Sequence, residues 1–324
     1  MDKMISGKSL LKAAAALFVL FVAGSLAILA IYGPRYGVYL LPPSPQQYTS
    51  DTIAYMDYGL YASGDEWAEA RAEALAKAET VGSYEEAHAI LEEAVKVAGG
   101  KHSAVVAEPS SAAGDAEAQM TSFELDDAGI LVLTVPEADM TVKSSYYADA
   151  IAFMQANQGQ IKAAIVDLRG NTGGDMGPMI AAVSPLLPDG TLLEFRTPAL
   201  QYTSPVTLTE GRVEGGGSQV QAEAFKRGDI PVAILQDGKT ASSGEAVLLA
   251  FRGLPRTRTF GAPSAGYCSA NSMRQLYDGA TVLLTIGTDV ARTGEEFCED
   301  PIAPDVETAQ PLEDARAWLA SELG

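Results

Sequence analysis

Two short segments of the chain carry residues suited to acyl transfer. The first, DLRGNTGG, runs from Asp167 to Gly174 and ends in paired glycines after an apolar run. Without a Cβ, paired glycines let backbone N–H groups face an anionic atom, which suits an oxyanion hole or a phosphate site. A tight turn between a strand and a helix would also use such a pair. This segment alone therefore leaves both interpretations open.

The second segment, KTASSGE, runs from Lys239 to Glu245 between a predicted strand and a predicted helix. A serine at such an elbow can present its oxygen at the helix N-terminus, where the dipole and unpaired N–H groups stabilise developing negative charge. Ser242 and Glu245 also match the capping box S-x-x-E, and the local sequence by itself favours that structural role. The surroundings lack the full G-x-S-x-G elbow of the α/β-hydrolases.

Histidine and cysteine are scarce, with two of each in the chain. There is no CxxC pair and no HExxH motif, so we expect no metal site and no cofactor. His88 lies in an Ala- and Glu-rich helical stretch, which indicates a surface or packing residue. His102 follows that stretch in the tripeptide KHS. A lone histidine is more often structural than catalytic, so His102 needs further support.

Composition and charge limit the classes of partner. The chain has 324 residues, 47% of them hydrophobic, which is enough for a substantial core. Its 42 acidic and 22 basic side chains give a formal charge of -20. Such a charge repels nucleic acid and leaves no broad basic surface for phosphate contacts, so no nucleic-acid partner is expected.

The N-terminus predicts a membrane segment. Three lysines precede an uncharged apolar run from Ala13 to Tyr32, close to the ~20 residues that span a bilayer. The positive-inside rule places residues 1–12 in the cytoplasm and the rest of the chain outside. The alternative is a cleaved signal peptide, which would make the protein secreted. Residues 33–49, which include Pro42, Pro43 and Pro45, are predicted to be a stiff extended linker.

The elements that must position these residues alternate between strands and helices. Periodicity predicts two helices within 65–97, split near Gly82, and it predicts a mobile excursion at 211–217. The other predicted elements are a strand at 130–135, a helix at 146–157, a strand at 163–168, a strand at 231–235, a helix at 245–252, a hairpin at 275–286 and a helix at 315–323. This order is typical of an α/β fold.

Five motifs in a fixed order between about residues 163 and 306 resemble one known family. They are DLRGNTGG, TASSGE, FGAPSAGY, LYDG and IAPDV. The order is similar to that of the tail-specific, or C-terminal processing, serine proteases, a family that also resembles the tricorn protease core and the retinoid-binding repeats of photoreceptors. The resemblance implies a crotonase-like β/α core at 109–324 and an N-terminal helical subdomain at 50–108. There is no room for the PDZ domain that many members insert.

The resemblance also implies roles for individual residues. Ser242 would be the nucleophile, and the amide of Ser243 with that of Gly173 or Gly174 would form the oxyanion hole. Members with a Ser/Lys dyad carry the base lysine where this chain has Tyr267, and a tyrosine with a pKa near ~10 is a poor replacement.

The tricorn-like branch instead places a histidine base upstream of the core, in a motif that KHS resembles. His102 therefore becomes the candidate base, because an imidazole can take and return the serine proton at neutral pH. Lys239, three residues before Ser242, is the less favoured alternative. The branch also has a late glutamate, which points to the acidic cluster Glu295, Glu296, Glu299 and Asp300. Glu299 stands as the candidate acid, although the motif does not select among the four.

Cys268 and Cys298 flank the altered base position and the acidic cluster. A disulfide between them could persist outside the cytoplasm and hold two active-site loops together.

Taken together, the sequence predicts a membrane-anchored, extracytoplasmic serine endopeptidase that acts on polypeptides. One alternative is a catalytically inactive protein that binds a peptide or another ligand on the same scaffold, which the missing lysine motivates. Another is a hydrolase or isomerase of acyl thioesters, suggested by a crotonase-like core but at odds with export of the chain.

Overall fold

The computed structural model describes residues 7–107, 119–139 and 144–324. Helices are α1 Gly7–Tyr32, α2 Pro45–Met56, α3 Gly64–Ala78, α4 Tyr84–Gly99, α5 Ser145–Ala156, α6 Met176–Val183, α7 Ser243–Phe251 and α8 Pro311–Leu323. Strands are β1 Ala104–Val106, β2 Ser122–Leu125, β3 Ile130–Thr134, β4 Ala163–Asp167, β5 Gly190–Thr197, β6 Tyr202–Thr209, β7 Arg212–Glu214, β8 Val220–Gln221, β9 Val232–Gln236, β10 Thr257–Gly261, β11 Ser269–Gln275, β12 Thr281–Ala291, β13 Glu296–Phe297 and β14 Val306–Glu307.

The chain divides into two compact units. The first consists of Met1–Ser110 with Ser272–Leu284, and the second of Ser111–Asn271 with Thr285–Gly324. The fold is mixed α/β, as the alternating pattern of the sequence predicts.

In the first unit, α2, α3 and α4 pack on one another. Helix α4 buries Ala87, Leu91, Val95 and Ala98, whose spacing of three to four residues places them on one face. Strand β1 follows α4 and pairs antiparallel with the first three residues of β12. Within α1, the 19 residues Ala14–Tyr32 have a mean hydropathy of 2.7 and are not buried, so this stretch is long and apolar enough to cross a membrane.

The segment predicted to be an extended linker is instead folded. A one-turn 3-10 helix spans Gly33–Tyr36, and α2 already begins at Pro45. Ser44 caps α2 by accepting a hydrogen bond from the N–H of Gln47, and proline is favoured in the first helical turn because its fixed φ suits a helix. Pro34 and Pro45 therefore lie in the first turns of helices rather than in an extended linker.

The second unit is built on a six-stranded sheet in the order β14-β10-β9-β4-β3-β2. All pairs are parallel except β2 with β3. Every residue of β4 and β9 is buried. Alternate residues of these strands pack toward α5, α6 and α7 on one face and toward α8 on the other, which explains their continuous apolar sequence.

A second sheet in this unit is antiparallel. Strand β5 pairs with the end of β12 and with β6, which continues to β7 and β8. The predicted mobile excursion at 211–217 is wrong, because β7 lies inside it and pairs on both sides. Val213 of β7 is buried, so its apolar side chain holds this glycine-rich segment to the core.

Candidate active site

Ser242 occupies a strained elbow between β9 and α7. Its backbone has φ 52° and ψ -120°, a conformation that a residue with a side chain rarely adopts. Such strain costs about 1–3 kcal/mol and persists only where the surroundings enforce it. The half-exposed serine directly precedes the first residue of α7, where unpaired N–H groups and the helix dipole favour negative charge.

Glu245, one turn into α7, enforces this elbow. Its buried carboxylate accepts the N–H of Ser242 and the N–H of Tyr267 at Oε2, with distances of 2.9 and 2.7 Å. Its other oxygen, Oε1, accepts the N–H of Gly266 at 2.9 Å and the hydroxyl of Ser264 at 2.5 Å. Burial raises the pKa of Glu245, and these four hydrogen bonds oppose that rise. One side chain thus joins the serine elbow to the loop at 264–267.

The glycine-rich turn after β4 lies against the same elbow. A Cβ added to Gly173 would lie 2.8 Å from Ser242 Cβ, so the backbone of this turn reaches the serine only because position 173 is glycine. Asn171 holds the turn: its side-chain Nδ2 donates to the carbonyls of Val135 and Pro136, and its own carbonyl accepts the N–H of Ala241.

The two glycines proposed for the oxyanion hole differ in the hydrogen bonding of their N–H groups. The N–H of Gly173 donates to Asn171 Oδ1 at 2.9 Å, so it is not available to a substrate oxygen. The N–H of Gly174 makes no hydrogen bond to any described residue, and the first-turn N–H of Ser243 has no partner within its helix. Ser243 also donates its hydroxyl to the Gly174 carbonyl at 2.7 Å. Gly174 and Ser243 are therefore the amides left for an oxyanion.

Backbone contacts fix Gly266 and Tyr267, where members of the family with a Ser/Lys dyad carry the base lysine. Gly266 has φ 74°, and a Cβ there would lie 2.5 Å from the carbonyl oxygen of Glu299. The next residue, Tyr267, is tied to Glu245 through its own N–H. Lys239 is exposed, whereas a lysine that acts as a general base is ordinarily buried.

His102 belongs to the first unit, where α4 holds the backbone on both sides of it. Lys96 Nζ donates to the carbonyl of Ser103 and, at 3.4 Å, to that of Lys101. Glu92 Oε2, one turn earlier on the same helix, accepts the N–H of Val105 at 2.6 Å. The segment that carries His102 is therefore fastened to a rigid helix.

The half-buried imidazole of His102 has a pKa of about 4, below its ordinary value of 6.5. Burial is the main cause, and the positive charges of Lys101 and then Lys96 add to it. At neutral pH the ring is uncharged, which is the form that can accept a proton.

The residues of the acidic cluster at 295–300 differ in the contacts that they make. Glu295 makes a two-bond ion pair with Arg252 at 2.7 Å, and the pKa of Glu295 falls to about 2 because of that partner. Glu296 pairs with Arg196 and accepts the hydroxyl of Thr288. Glu299 is the member whose backbone contacts Gly266, next to the former lysine position.

The structure has no disulfide between Cys268 and Cys298, so the predicted bridge is wrong. The buried Cys268 thiol instead donates to Asp289 Oδ2 at 3.4 Å, which occupies the sulfur with a carboxyl partner. Burial raises the pKa of Asp289 to about 7 and raises that of Cys268 as well.

The structure therefore brings together Ser242, Ser243, Gly173 and Gly174, while His102 lies in the other unit. His88 makes polar contacts within the first unit: its Nε2 lies 2.8 Å from Asp278 Oδ2 and 3.0 Å from the hydroxyl oxygen of Tyr48. Across 7–107, 119–139 and 144–324, no group of His, Cys, Asp and Glu side chains could hold a metal ion. The sequence did not reveal Asn171 or the wider role of Glu245; the S-x-x-E spacing was the one visible signal.

A strained serine at the N-terminus of a helix, packed against a glycine turn, is an arrangement typical of serine hydrolases. Comparison with known proteins agrees, because the model of peptidase family S41 matches residues 121–308. The chain belongs to this family, and the family resemblance inferred from the five motifs is confirmed.

Relatives extend the likeness to nearly the whole chain. The nisin-resistance protein of Lactococcus lactis subsp. lactis is 36% identical over 98% of this chain and 99% of that protein. The structure of a lipoprotein from Streptococcus agalactiae has a TM-score of 0.74 and 30% identity, covering 88% of this chain and 99% of that one. The photosystem II D1 C-terminal processing protease shares the fold at a TM-score of 0.58 and 14% identity, covering 82% of this chain and 94% of that one.

Proposed function

We propose that this protein is a serine endopeptidase that hydrolyses peptide bonds through an acyl-enzyme on Ser242. The observation that carries the proposal is the strained backbone of Ser242 at the N-terminus of α7, held by Glu245 and packed against Gly173. Serine peptidases need an accessible hydroxyl beside preorganised N–H donors, and this elbow supplies both.

In the proposed reaction, Ser242 Oγ attacks the peptide carbonyl while the imidazole of His102 takes its proton. The carbonyl oxygen becomes an oxyanion that receives hydrogen bonds from the amides of Gly174 and Ser243. The bond to the leaving amine then breaks, and the imidazolium gives its proton to that amine. Water, deprotonated by His102, then attacks the acyl-enzyme. As the bond to Ser242 Oγ breaks, the imidazolium returns the proton to that oxygen and the second product leaves.

Three residues compete for the role of base, and His102 fits it best. Its pKa of about 4 keeps the ring neutral at physiological pH. Tyr267 carries a hydroxyl rather than a basic nitrogen, and Lys239 is exposed. We propose Glu299 as the supporting carboxylate, because its backbone contacts Gly266 beside the altered base position.

We extend the proposal to architecture and location. The second unit would be a crotonase-like core, with 50–108 as a helical subdomain and 109–324 as the protease core. Helix α1 would anchor the chain in the cell membrane, with residues 1–12 in the cytoplasm and the folded units outside. An apolar stretch of 19 residues and two relatives, one named a lipoprotein and one a nisin-resistance protein, support a cell-envelope location.

The name of the Lactococcus relative suggests a substrate to test. At 36% identity over almost the full length of both chains, we propose that nisin is among the substrates of this protein.

The test is hydrolysis of nisin and of an unstructured polypeptide by the full chain, followed by mass spectrometry. Wild type and Ser321→Ala, a matched change of an exposed serine on α8, should give the same products, and Ser242→Ala should give none. Binding of either substrate by a folded wild type without hydrolysis would reject the peptidase and favour the ligand-binding alternative.

A further inference from the structure

The segment that leaves α1 is bonded to the first unit. Gly37, at φ 74°, and Val38 donate their N–H groups to Pro34 and Gly33, which closes the turn. Arg274, in the hairpin of β11 and β12, donates from Nη2 to the Pro34 carbonyl at 2.6 Å. Arg274, which is distant in sequence, therefore holds the chain at Pro34, two residues after the end of α1.

The following residues are held as well. Tyr39 donates its hydroxyl to Asp51 of α2 at 3.1 Å, and its ring meets that of Tyr277, in the hairpin, edge-on at 5.9 Å. Tyr84 of α4 donates its hydroxyl to the Pro43 carbonyl at 2.7 Å. The hairpin, α2 and α4 all contact residues 33–43. This segment is therefore an ordered connection between the apolar helix and the folded unit.

Residues 33–43 and the neighbouring hairpin carry large apolar side chains that are exposed to solvent. Tyr36 and Leu41 are each 79% exposed, and Met273 of the hairpin is 65% exposed. Large exposed apolar groups are costly in water when they lie together, and they commonly mark a contact with a membrane or a partner. We call the following set the juxtamembrane face: Tyr36, Val38, Leu40, Leu41, Met273 and Tyr277.

We propose that the juxtamembrane face rests in the headgroup region of the bilayer that α1 spans, so that the first unit lies on the membrane surface. The face continues directly from Tyr32, the last residue of α1. Tyrosine and other amphipathic side chains are enriched at that depth of a bilayer. The defined set contains only Tyr, Val, Leu and Met side chains, and the neighbouring carboxyl groups of Asp51 and Asp278 accept hydrogen bonds from Tyr39 and Tyr48.

This inference rests on the proposed anchoring by α1, and a quenching experiment tests the two separately. The full chain is reconstituted in phosphatidylcholine vesicles with or without brominated acyl chains, which quench tryptophan by contact. Tryptophan is introduced singly at Val22 in α1, at Met273 in the juxtamembrane face, or at Ala76 on the exposed side of α3. The emission of unsubstituted chain, with its 2 tryptophans, is subtracted.

We expect brominated lipid to remove most of the added emission for V22W and a large part of it for M273W, with no loss for A76W. Replacing part of the lipid with an anionic phospholipid should leave the M273W result unchanged, because the contact is apolar. Quenching of V22W without M273W would overturn the juxtamembrane face and leave the anchor intact. Equal quenching of M273W and A76W would also overturn it, and an unquenched V22W would overturn the anchoring on which it rests.

Discussion

The N–H of Ser242 lies 2.9 Å from Glu245 Oε2, and the N–H of Tyr267 binds the same oxygen. The residue before the helix and the loop that carries Tyr267 are thus held by one buried carboxylate. Glu245 is a positioning residue in this account, because it fixes the strained backbone that presents the Ser242 hydroxyl.

Glu245→Gln should lower both activity and stability. A glutamine would turn an NH₂ group toward N–H donors, and a buried donor left without an acceptor costs about 1–3 kcal/mol. The rate of serine acylation and the midpoint of thermal unfolding should both fall, while Glu313→Gln, an exposed change on α8, should alter neither. An unchanged acylation rate in Glu245→Gln would show that the elbow does not depend on this carboxylate.

Gly173→Ala and Gly170→Ala should separate backbone strain from contact with Ser242. Both glycines have positive φ, 110° and 76°, so alanine is strained at each by about 1–3 kcal/mol. At Gly170 a Cβ meets no atom within 4 Å, whereas at Gly173 it meets Ser242 Cβ at 2.8 Å. We therefore expect Gly170→Ala to keep its acylation rate and Gly173→Ala to lose most of it. Equal rates in the two folded variants would contradict the packing of this turn on the serine.

Lys96→Met should move the acid limb of the pH–rate profile. The pKa of His102 is about 4 through burial and then the charges of Lys101 and Lys96, so the neutral base persists down to that pH. Removing one positive charge raises the His102 pKa, which shifts the loss of kcat/KM to a higher pH. Lys77→Met, on α3 and paired with Glu73 and Glu93, is the control and should not shift the limb. If the acid limb does not move in Lys96→Met, then that limb does not report the titration of His102.

Asp289→Asn should change how stability depends on pH. The Asp289 pKa rises from 3.8 to about 7 on folding, mainly through burial, so between these values the folded chain holds a proton that the unfolded chain has lost. The unfolding free energy contributed by this group must then fall as pH rises from about 4 to 7. Denaturant unfolding at pH 5 and 8 should show a smaller decline in Asp289→Asn than in wild type. An identical decline in both would assign the pH dependence to other groups.

Elements with a local signal were predictable from the sequence. The strand predicted at 163–168 is Ala163–Asp167, and the helix predicted at 146–157 is Ser145–Ala156. A continuous apolar run indicates a buried strand and a helical period indicates a helix with one buried face, so neither prediction needs information from distant residues. The turn at Asp278 and Gly279 lies between β11 and β12, as its composition indicates. The helix predicted at 245–252 is Ser243–Phe251, and the S-x-x-E spacing matches the capping box at its N-cap, Ser242.

Features that depend on distant residues were not predictable. The partners of Glu245 lie up to 22 positions away in a loop, and spacing alone could not show that one carboxylate serves both segments. Similarly, Gly173 and Gly174 look alike in sequence, and only the bond from Gly173 to Asn171 separates them. The proline-rich segment after α1 has the composition of a linker, yet contacts with Arg274 and Tyr84 fold it onto the first unit.

The most direct test of the central claim is acylation of the full chain by a fluorophosphonate probe, with the modified residue located by peptide mass spectrometry. The account predicts a single adduct on Ser242, no adduct in Ser242→Ala, strongly slowed labelling in His102→Ala and unchanged labelling in Tyr267→Phe. Circular dichroism and thermal unfolding would verify that each variant is folded. An adduct on a different serine, or a folded wild type that the probe does not modify, would contradict the assignment of Ser242 as the nucleophile.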